Sequence, residues 1–553
     1  MFIKRFIGLF YIPLSIMAFY AIGDVKLSSV FSDNMIFQED YPIKIWGTAS
    51  AGERVKVKLG EEEKNTTADD SGNWQVEFAP RQAQTGMTLV IIGKNQIELK
   101  NVTVGEVWLC SGQSNMAMLL WTTTDAKNVI ATANYPMIRF LTVAQTNNIA
   151  PQNDFSGKWV VCSPETASNF SAVAFYFGLE LYKKLNKPIG LINSSWGGTR
   201  IEPWTPFEHL NIIPGFTSEI ARVENLRLHK TDEWRVYEEA LAKKEQAFKR
   251  VCEIENNQNI SMQMASEKLD ISDWKEMEIP NQWEKTGLPD FDGLVWFRKE
   301  VEIPEEWADK DLIIHLGPVD EMDETWFNQT LIGGMGSCRE RIVKYWDVSR
   351  NYKIPAKAVK AGKNIITVRV IDTGWAGGIW GVSPTEMFIE LNNGKDERKV
   401  NIAGTWRYFV AERLYENVKP PVNQTTPTAL YNAMINPLIK HNIRGVIWYQ
   451  GESNRADGSR YTDKMRALIM GWRDKWQRAI PFYFVQLAPY LYGDTNIFLL
   501  PEIWNAQREA LAIENTGIAV TTDLGNLRDI HPRRKKEVGL RLARLALAKN
   551  YKH

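Results

Sequence analysis

Short runs that alternate apolar and polar residues fill the chain from Val25 to Val107, among them Ile43–Ile45, Val55–Leu59, Trp74–Phe78 and Ile97–Leu99. A period of two is that of a half-buried strand, and Ala51-Gly52 and Asp70-Ser71-Gly72 supply turns between the runs. They predict a small antiparallel β-domain over residues 24–104, structural in role because it carries no cluster of reactive side chains. Past Ser114 the pattern changes. Helix-like Ala172–Leu185 leads into apolar Ile189–Ile192, Thr428–His441 leads into Val446–Tyr449, and Phe482–Leu487 and Ile518–Thr522 read as further buried strands. Helices alternating with short apolar strands predict an α/β fold with a parallel sheet, whose sites form in the loops at the carboxyl ends of the strands.

This pattern is interrupted between Gly198 and Arg444, a span of roughly 250 residues and far beyond an ordinary crossover. A charged helical stretch, Thr231–Asn257, is followed from Asp270 to Leu391 by strand-like text such as Trp296–Val301, Asp311–Leu316 and Asn364–Val370. An inserted β-sandwich accounts for it most simply. Trp375 and Trp380, beside Gly377 and Gly378, read either as a sugar platform or as core. The expected organisation is therefore a leader (1–23), the β-domain (24–104), a first catalytic part (105–225), a helical connector (226–265), the sandwich (266–400) and a second catalytic part (401–553).

The leader has Lys4 and Arg5, an apolar run from Phe6, and small residues at Ala21 and Gly23, the form of a secretory signal; an uncleaved anchor is the alternative. Export to the periplasm or beyond would place Cys110, Cys162, Cys252 and Cys338 in an oxidising compartment, where they could pair in three ways. Lys+Arg and Asp+Glu each total 66, so no net field draws the chain to nucleic acid or to an anionic membrane. Oligomeric state is not legible. With no CxxC, HExxH or EF-hand loop, neither a metal nor another cofactor is expected. The 21 tryptophans, 18 tyrosines and 23 phenylalanines suit β-sheet cores and also sugar recognition.

Four segments at expected strand ends carry groups useful in acyl transfer. In Gly112-Gln113-Ser114-Asn115 a serine stands at a strand-to-helix turn, as a nucleophile beside main-chain N–H donors or as a plain helix cap. Asn193–Arg200 contains Gly197 and Gly198, either of which could bring a second N–H to an oxyanion. Trp448–Asn454 contains Gln450, whose amide is either a third donor or a buried structural group. Asp523–Pro532 contains Asp529 and His531, the one histidine of six in such a loop with acids close by, suited to general-base work.

These blocks, Val107–Met116, Trp196–Thr199, Gly445–Asn454 and Asp529–Pro532, resemble in content and order those of the sialate O-acetylesterases, within the SGNH (GDSL-like) hydrolase superfamily. The resemblance extends over nearly the whole chain after the leader, and the insert is similar to galactose-binding-like modules. It implies Ser114 as nucleophile with Ser111 in support, His531 as base, and oxyanion donors from Ser114, from Gly197 or Gly198, and from Gln450. SGNH hydrolases place the orienting acid three residues before the histidine, where this chain has Arg528. Asp529 is then the expected third member, and a dyad oriented by a main-chain carbonyl or by Asp523 the alternative. Arg200 and Arg455 are candidates to read a sialate carboxylate. The expected activity is removal of O-acetyl groups from sialic acid by an acyl-enzyme route, with an acetylxylan-type esterase and a non-catalytic glycan-binding protein as rivals.

Overall fold

A computed structural model describes residues 24–124, 126–338, 345–392, 397–414 and 419–553, so the expected leader lies outside the described residues. They form two compact units, Thr231–Pro421 and the remainder of the chain on either side of it. No helix among the described residues is long and apolar enough to cross a membrane.

The first unit is built on a central sheet of β1 (Gln96–Gly112), β2 (Tyr135–Thr142), β3 (Trp159–Cys162), β4 (Ile189–Ser195), β5 (Gly445–Tyr449), β6 (Phe482–Val485) and β7 (Thr516–Ala519). Their order is β3-β2-β4-β1-β5-β6-β7, parallel throughout except for β3 against β2. The chain starts in the middle, builds one side through β2 and β4, then the other through β5 to β7. The point of reversal lies at β1, where doubly wound sheets open a crevice.

Register sets what meets there. Gly112 pairs with Ser195 on one side and with Tyr449 on the other, so the loops after β1, β4 and β5 start level with one another. Both faces of the sheet are covered. Val107 and Leu109 join Met465, Leu468 and Trp472 in one core cluster, while Trp108 and Cys110 join Val173, Phe177 and Leu542 in another. Strands buried on both faces have to be apolar at successive positions, as β1 is over Val107–Cys110.

The helices that flank the sheet include α1 (Ser114–Ala117), α2 (Ala172–Leu185), α3 (Arg460–Trp476), α4 (Leu499–Glu509) and α5 (Lys535–Ala546). α2 has the expected bounds because both ends are signalled: the Ser171 hydroxyl accepts from Ala174 N–H, and Asn186 takes the left-handed conformation that ends the helix. Thr428–His441 is not the regular helix expected. It folds as a π-turn at Tyr431–Ile435 and a 3₁₀ turn at Asn436–Leu438, because Pro437 supplies no N–H and its ring crowds the preceding turn.

β1 runs without a break through residues 104 and 105, where a domain boundary was expected. Its first half alternates in burial and pairs with Gln84–Ile92, which in turn pairs with Arg54–Leu59; its second half is the centre of the large sheet. A separate three-stranded sheet holds Lys26–Leu27, Ile43–Thr48 and Asn73–Phe78.

The second unit has a six-stranded sheet, in the order Lys275–Ile279, Gly404–Leu414, Asp292–Ile303, Gly362–Asp372, Met322–Phe327 and Thr330–Met335. A four-stranded sheet of Ser349–Ile354, Leu312–Pro318, Phe388–Leu391 and Val400–Asn401 shares its core, in which Phe297 and Val368 of one cluster with Ile314 and Ile389 of the other. Asp232–Glu255 is a long helix that buries Ala247 and Val251 with Trp296 and Trp326. Gly404–Leu414, expected within the second catalytic part, instead pairs with Lys275–Ile279 and Asp292–Ile303, so the chain returns to the first unit only at Val422. No disulfide joins the four cysteines among the described residues, and Cys338 is in hydrogen-bonding reach of Cys252.

Candidate active site

Three loops and α1 converge at the carboxyl edge of the central sheet. β1 ends at Gly112, whose φ is +137° and where an added Cβ would lie 2.1 Å from the Tyr449 carbonyl oxygen. Only glycine fits, and the turn it makes delivers Ser114 at the start of α1. Ser111 stays inside the sheet, fully buried, with no hydrogen-bond partner for its hydroxyl among the described residues. Ser114 is half-buried, and its Oγ lies 2.8 Å from Nε2 of His531. Between the two serines, the one that meets a base is Ser114.

Burial, and next the charge of Lys535, hold the His531 pKa below its ordinary value, while Asp529 pulls it back up. The imidazole is therefore neutral at pH 7, the form that accepts a proton. The contact expected between Asp529 and the ring is made to the main chain instead: Asp529 Oδ1 accepts from His531 N–H at 2.9 Å. A short Asx-type bond two residues apart fixes the loop, and the carboxylate acts on the ring through its charge. Asp523 is engaged elsewhere, since hydrogen bonds from Arg541 at 2.6 Å hold its carboxyl down at about 2.

Gly197 and Gly198 separate in role. A Cβ on Gly197 would approach Ser114 Cβ at 3.2 Å, so this glycine lies against the serine, while Gly198 has φ +72° and open space around it, as a turn residue does. Among the described residues, the main-chain N–H groups of Ser114 and Gly197 donate to no protein acceptor.

Gln450 is not the third donor expected. It is fully buried, and its amide nitrogen donates to the Thr199 carbonyl at 3.1 Å and to Asn454 Oδ1 at 2.7 Å, while its Oε1 accepts from Tyr461 at 2.8 Å. An amide has two N–H groups, and both are used.

Nor is either candidate arginine free to read a carboxylate. Arg200 donates to both oxygens of Asp457, at 2.9 and 3.0 Å, and to Glu202 at 3.1 Å. Arg455 forks onto Asp494 at 2.6 and 2.5 Å and lies over the Tyr492 ring at 4.2 Å. Their guanidinium groups already hold acids of the protein.

Sequence reasoning missed a buried network beneath the serine. Glu452 accepts from Asn115 Nδ2 at 2.5 Å and from the Gln113 amide, so the residues on both sides of Ser114 are clamped by one carboxylate. Asn115 Nδ2 also donates to the Ile530 carbonyl at 3.1 Å, and its Oδ1 accepts from Lys535 Nζ at 2.5 Å. Asn115 thus joins the serine turn to the loop that carries His531. Burial raises the pKa of Glu452, against the Asn115 hydrogen bond and the Lys535 charge, and lowers that of Lys535 to about 7, against the charges of Glu452 and Asp529. The flanking amides of Ser114 and an acid inside the third block were the available signals, but the partners lie 337 and 420 residues apart in the chain.

This geometry is that of a serine–histidine pair set for acyl transfer. Residues 418–548 match the family model for carbohydrate esterase, sialic acid-specific acetylesterase. The chain is 25% identical to the sialate O-acetylesterase of Rattus norvegicus over 94% of its own length and 72% of the relative's. To the sialate O-acetylesterase of Homo sapiens it is 34% identical over 203 residues, 32% of this chain and 38% of that one. The crystal structure of a carbohydrate acetylesterase from Xanthomonas citri shares the fold, with a TM-score of 0.57 at 21% identity over 96% of this chain and 76% of that one. Over residues 418–548 and across these relatives, the chain is similar to the sialate O-acetylesterases.

Proposed function

We propose that the protein removes O-acetyl groups from sialic acids by a serine acyl-enzyme mechanism. The observation that carries this reading is the 2.8 Å contact between Ser114 Oγ and His531 Nε2 at the reversal point of the sheet. Ser114 Oγ attacks the acetyl carbonyl carbon as His531 Nε2 takes its proton, and the Ser114 and Gly197 N–H groups receive the developing oxyanion. His531 returns the proton to the sugar oxygen as the ester bond breaks. Water then attacks the acetyl-enzyme with His531 again as base, releasing acetate and restoring Ser114. Asp529 supports the imidazolium by its charge and holds the loop, and Glu452 and Asn115 fix the serine turn against it.

In this reading the two sheets of the second unit are a galactose-binding-like β-sandwich, with Trp375, 97% exposed, as a flat apolar face for a sugar. The expected leader makes the enzyme an exported one. A second reading, an esterase of neutral acetylated polysaccharide, draws on the fact that Arg200 and Arg455 are both already paired. Acetate release from O-acetylated sialic acid and from acetylated xylan, with Ser114→Ala as the blank, tests both. A strong preference for sialic acid is expected. Preference for xylan would replace the substrate and keep the mechanism, and no release above the blank would return the chain to the glycan-binding alternative.

A further inference from the structure

The second unit contains a group of acids that the esterase reading does not use. Asp320, Glu321 and Asp372 are 5%, 2% and 0% exposed, and each places a carboxylate oxygen within 4.8 Å of the others. Protein donors reach only some of these oxygens. Trp380 Nε1 donates to Asp320 Oδ2 at 3.1 Å, Thr373 donates to Glu321 Oε2 from N at 2.9 Å and from Oγ1 at 2.7 Å, and Gly374 N donates to Asp372 Oδ1 at 2.9 Å. Asp372 Oδ2 has no partner among the described residues. The same holds for Oε2 of neighbouring Glu284, whose Oε1 takes the Gly377 N–H.

Buried carboxylates are normally paired with a cation or coordinate a metal. Here Asp292 and Glu284 add negative charge, while Lys244 acts on Glu321 and, with Arg413, on Asp292. Burial first, and repulsion among these acids after it, push Asp372 up to about 9 and Asp320 up to about 7.

We propose that Asp320, Glu321 and Asp372 bind a hard divalent cation, calcium in preference to magnesium, which fixes the loop from Asp372 to Gly378. All donors are oxygen, and no histidine or thiol belongs to the set. Calcium bonds oxygen at about 2.3–2.6 Å, so ligands on its opposite sides stand about 5 Å apart, against about 4 Å for magnesium. Three protein carboxylates also exceed the one or two that magnesium usually takes. The loop so fixed carries Trp375, with φ +78° and its ring in solvent, so the cation would set the presentation of the most exposed tryptophan face in the unit. Sequence motifs do not disclose such a site, because Asp320 and Asp372 come from different strand ends.

The test uses the full-length protein stripped with a chelator. Terbium luminescence excited through tryptophan reports directly, because Trp380 is hydrogen-bonded to a proposed ligand. Saturable emission is expected, displaced by calcium at lower concentration than by magnesium. One thermal transition should rise by about 3–6 °C for each tenfold increase of calcium above its Kd. Asp372→Asn keeps the shape and removes one charge, so it should weaken calcium binding more than tenfold while the stripped variant melts no lower than stripped wild type. Glu321→Gln provides the same reading should Asp372→Asn not fold. Absence of both terbium emission and a calcium-dependent shift in wild type would overturn the proposal in favour of a carboxyl cluster held by shared protons. A calcium shift that persists in both variants would overturn it too, by placing binding elsewhere.

Discussion

Two buried acidic groups, one in each unit, solve the burial of charge in different ways. Glu452 has an amide donor on each oxygen and a lysine one residue further out, so the protein itself answers its charge. Asp372 has one main-chain donor, a second oxygen without a partner, and other acids as neighbours. The difference teaches where each group draws its stability: the first is an internal scaffold for reacting atoms, and the second is complete only with something from solution. Substitutions in the first should therefore reach kcat, and substitutions in the second should not.

The largest effect belongs to the atoms the first group supports. Ser114→Ala and His531→Ala should each lower kcat by at least about 10⁴-fold with little change in unfolding free energy, measured by acetate release and by urea titration. Asp372→Asn should leave kcat as it is. A large kcat loss in Asp372→Asn would break the contrast between the groups. Glu452→Gln comes next. It brings an amide N–H₂ against the Gln113 or Asn115 amide and leaves buried Lys535 with only Asp529 opposing its charge, so about 3 kcal/mol or more of stability should be lost, with kcat falling as the serine turn loosens. Lys535→Met in the same chain should restore part of the stability, since it removes the stranded cation, and a double-mutant cycle measures the coupling.

Local patterning made much of this legible. Alternation exposed the small strands, apolar runs exposed the parallel sheet, and the helix-like run Ala172–Leu185 matched α2 to the residue. The loops of the site were legible too, because Ser114 and Gly197 stand next to strand ends and His531 lies in the loop between β7 and α5. What could not be read was which polar group each side chain already holds. Gln450 is of the right type for an oxyanion donor, but Thr199 and Asn454 take both of its N–H groups; Arg200 and Arg455 are of the right type for a sialate, but Asp457 and Asp494 hold them. Hydrogen-bond partners distant in the chain are set by tertiary packing, which a single sequence does not display. The strand Gly404–Leu414 was misassigned for the same reason, since pairing decides which sheet a strand joins.

Those corrections make the next contrast testable. Gly197→Ala puts a methyl group against Ser114 Cβ, where 3.2 Å is too close without a shift, so kcat should fall about tenfold or more with the fold intact. Gln450→Ala should behave in the opposite way. It leaves the Thr199 carbonyl without its donor, while Tyr461 keeps the Gln450 main-chain carbonyl and Asn454 Oδ1 keeps the Ile201 N–H, so about 1–3 kcal/mol of stability is lost and the loss of turnover should track the unfolded fraction rather than a missing oxyanion contact.

The smallest effects lie in the pH profile, and they decide what Asp529 does. Only neutral His531 can take the serine proton, so kcat/KM should hold above the histidine pKa and fall below it. Burial and Lys535 lower that pKa, which puts the acid limb below the ordinary value of 6.5. Lys535 itself, at about 7, is cationic through the range where His531 takes up its proton. Lys535→Met removes the repulsion, so the limb should move to higher pH. Asp529→Asn removes a charge that favours the imidazolium but keeps a side-chain oxygen for the His531 N–H, so the limb should move to lower pH with a modest change in kcat on the plateau. An acid that held the ring by its other nitrogen would give a different result, a plateau loss of about 10⁴-fold. Opposite displacements of one limb by two neighbouring charges, with the plateau nearly unchanged, would place Asp529 as an electrostatic and loop-fixing residue; a collapsed plateau would restore it as the orienting member of a triad.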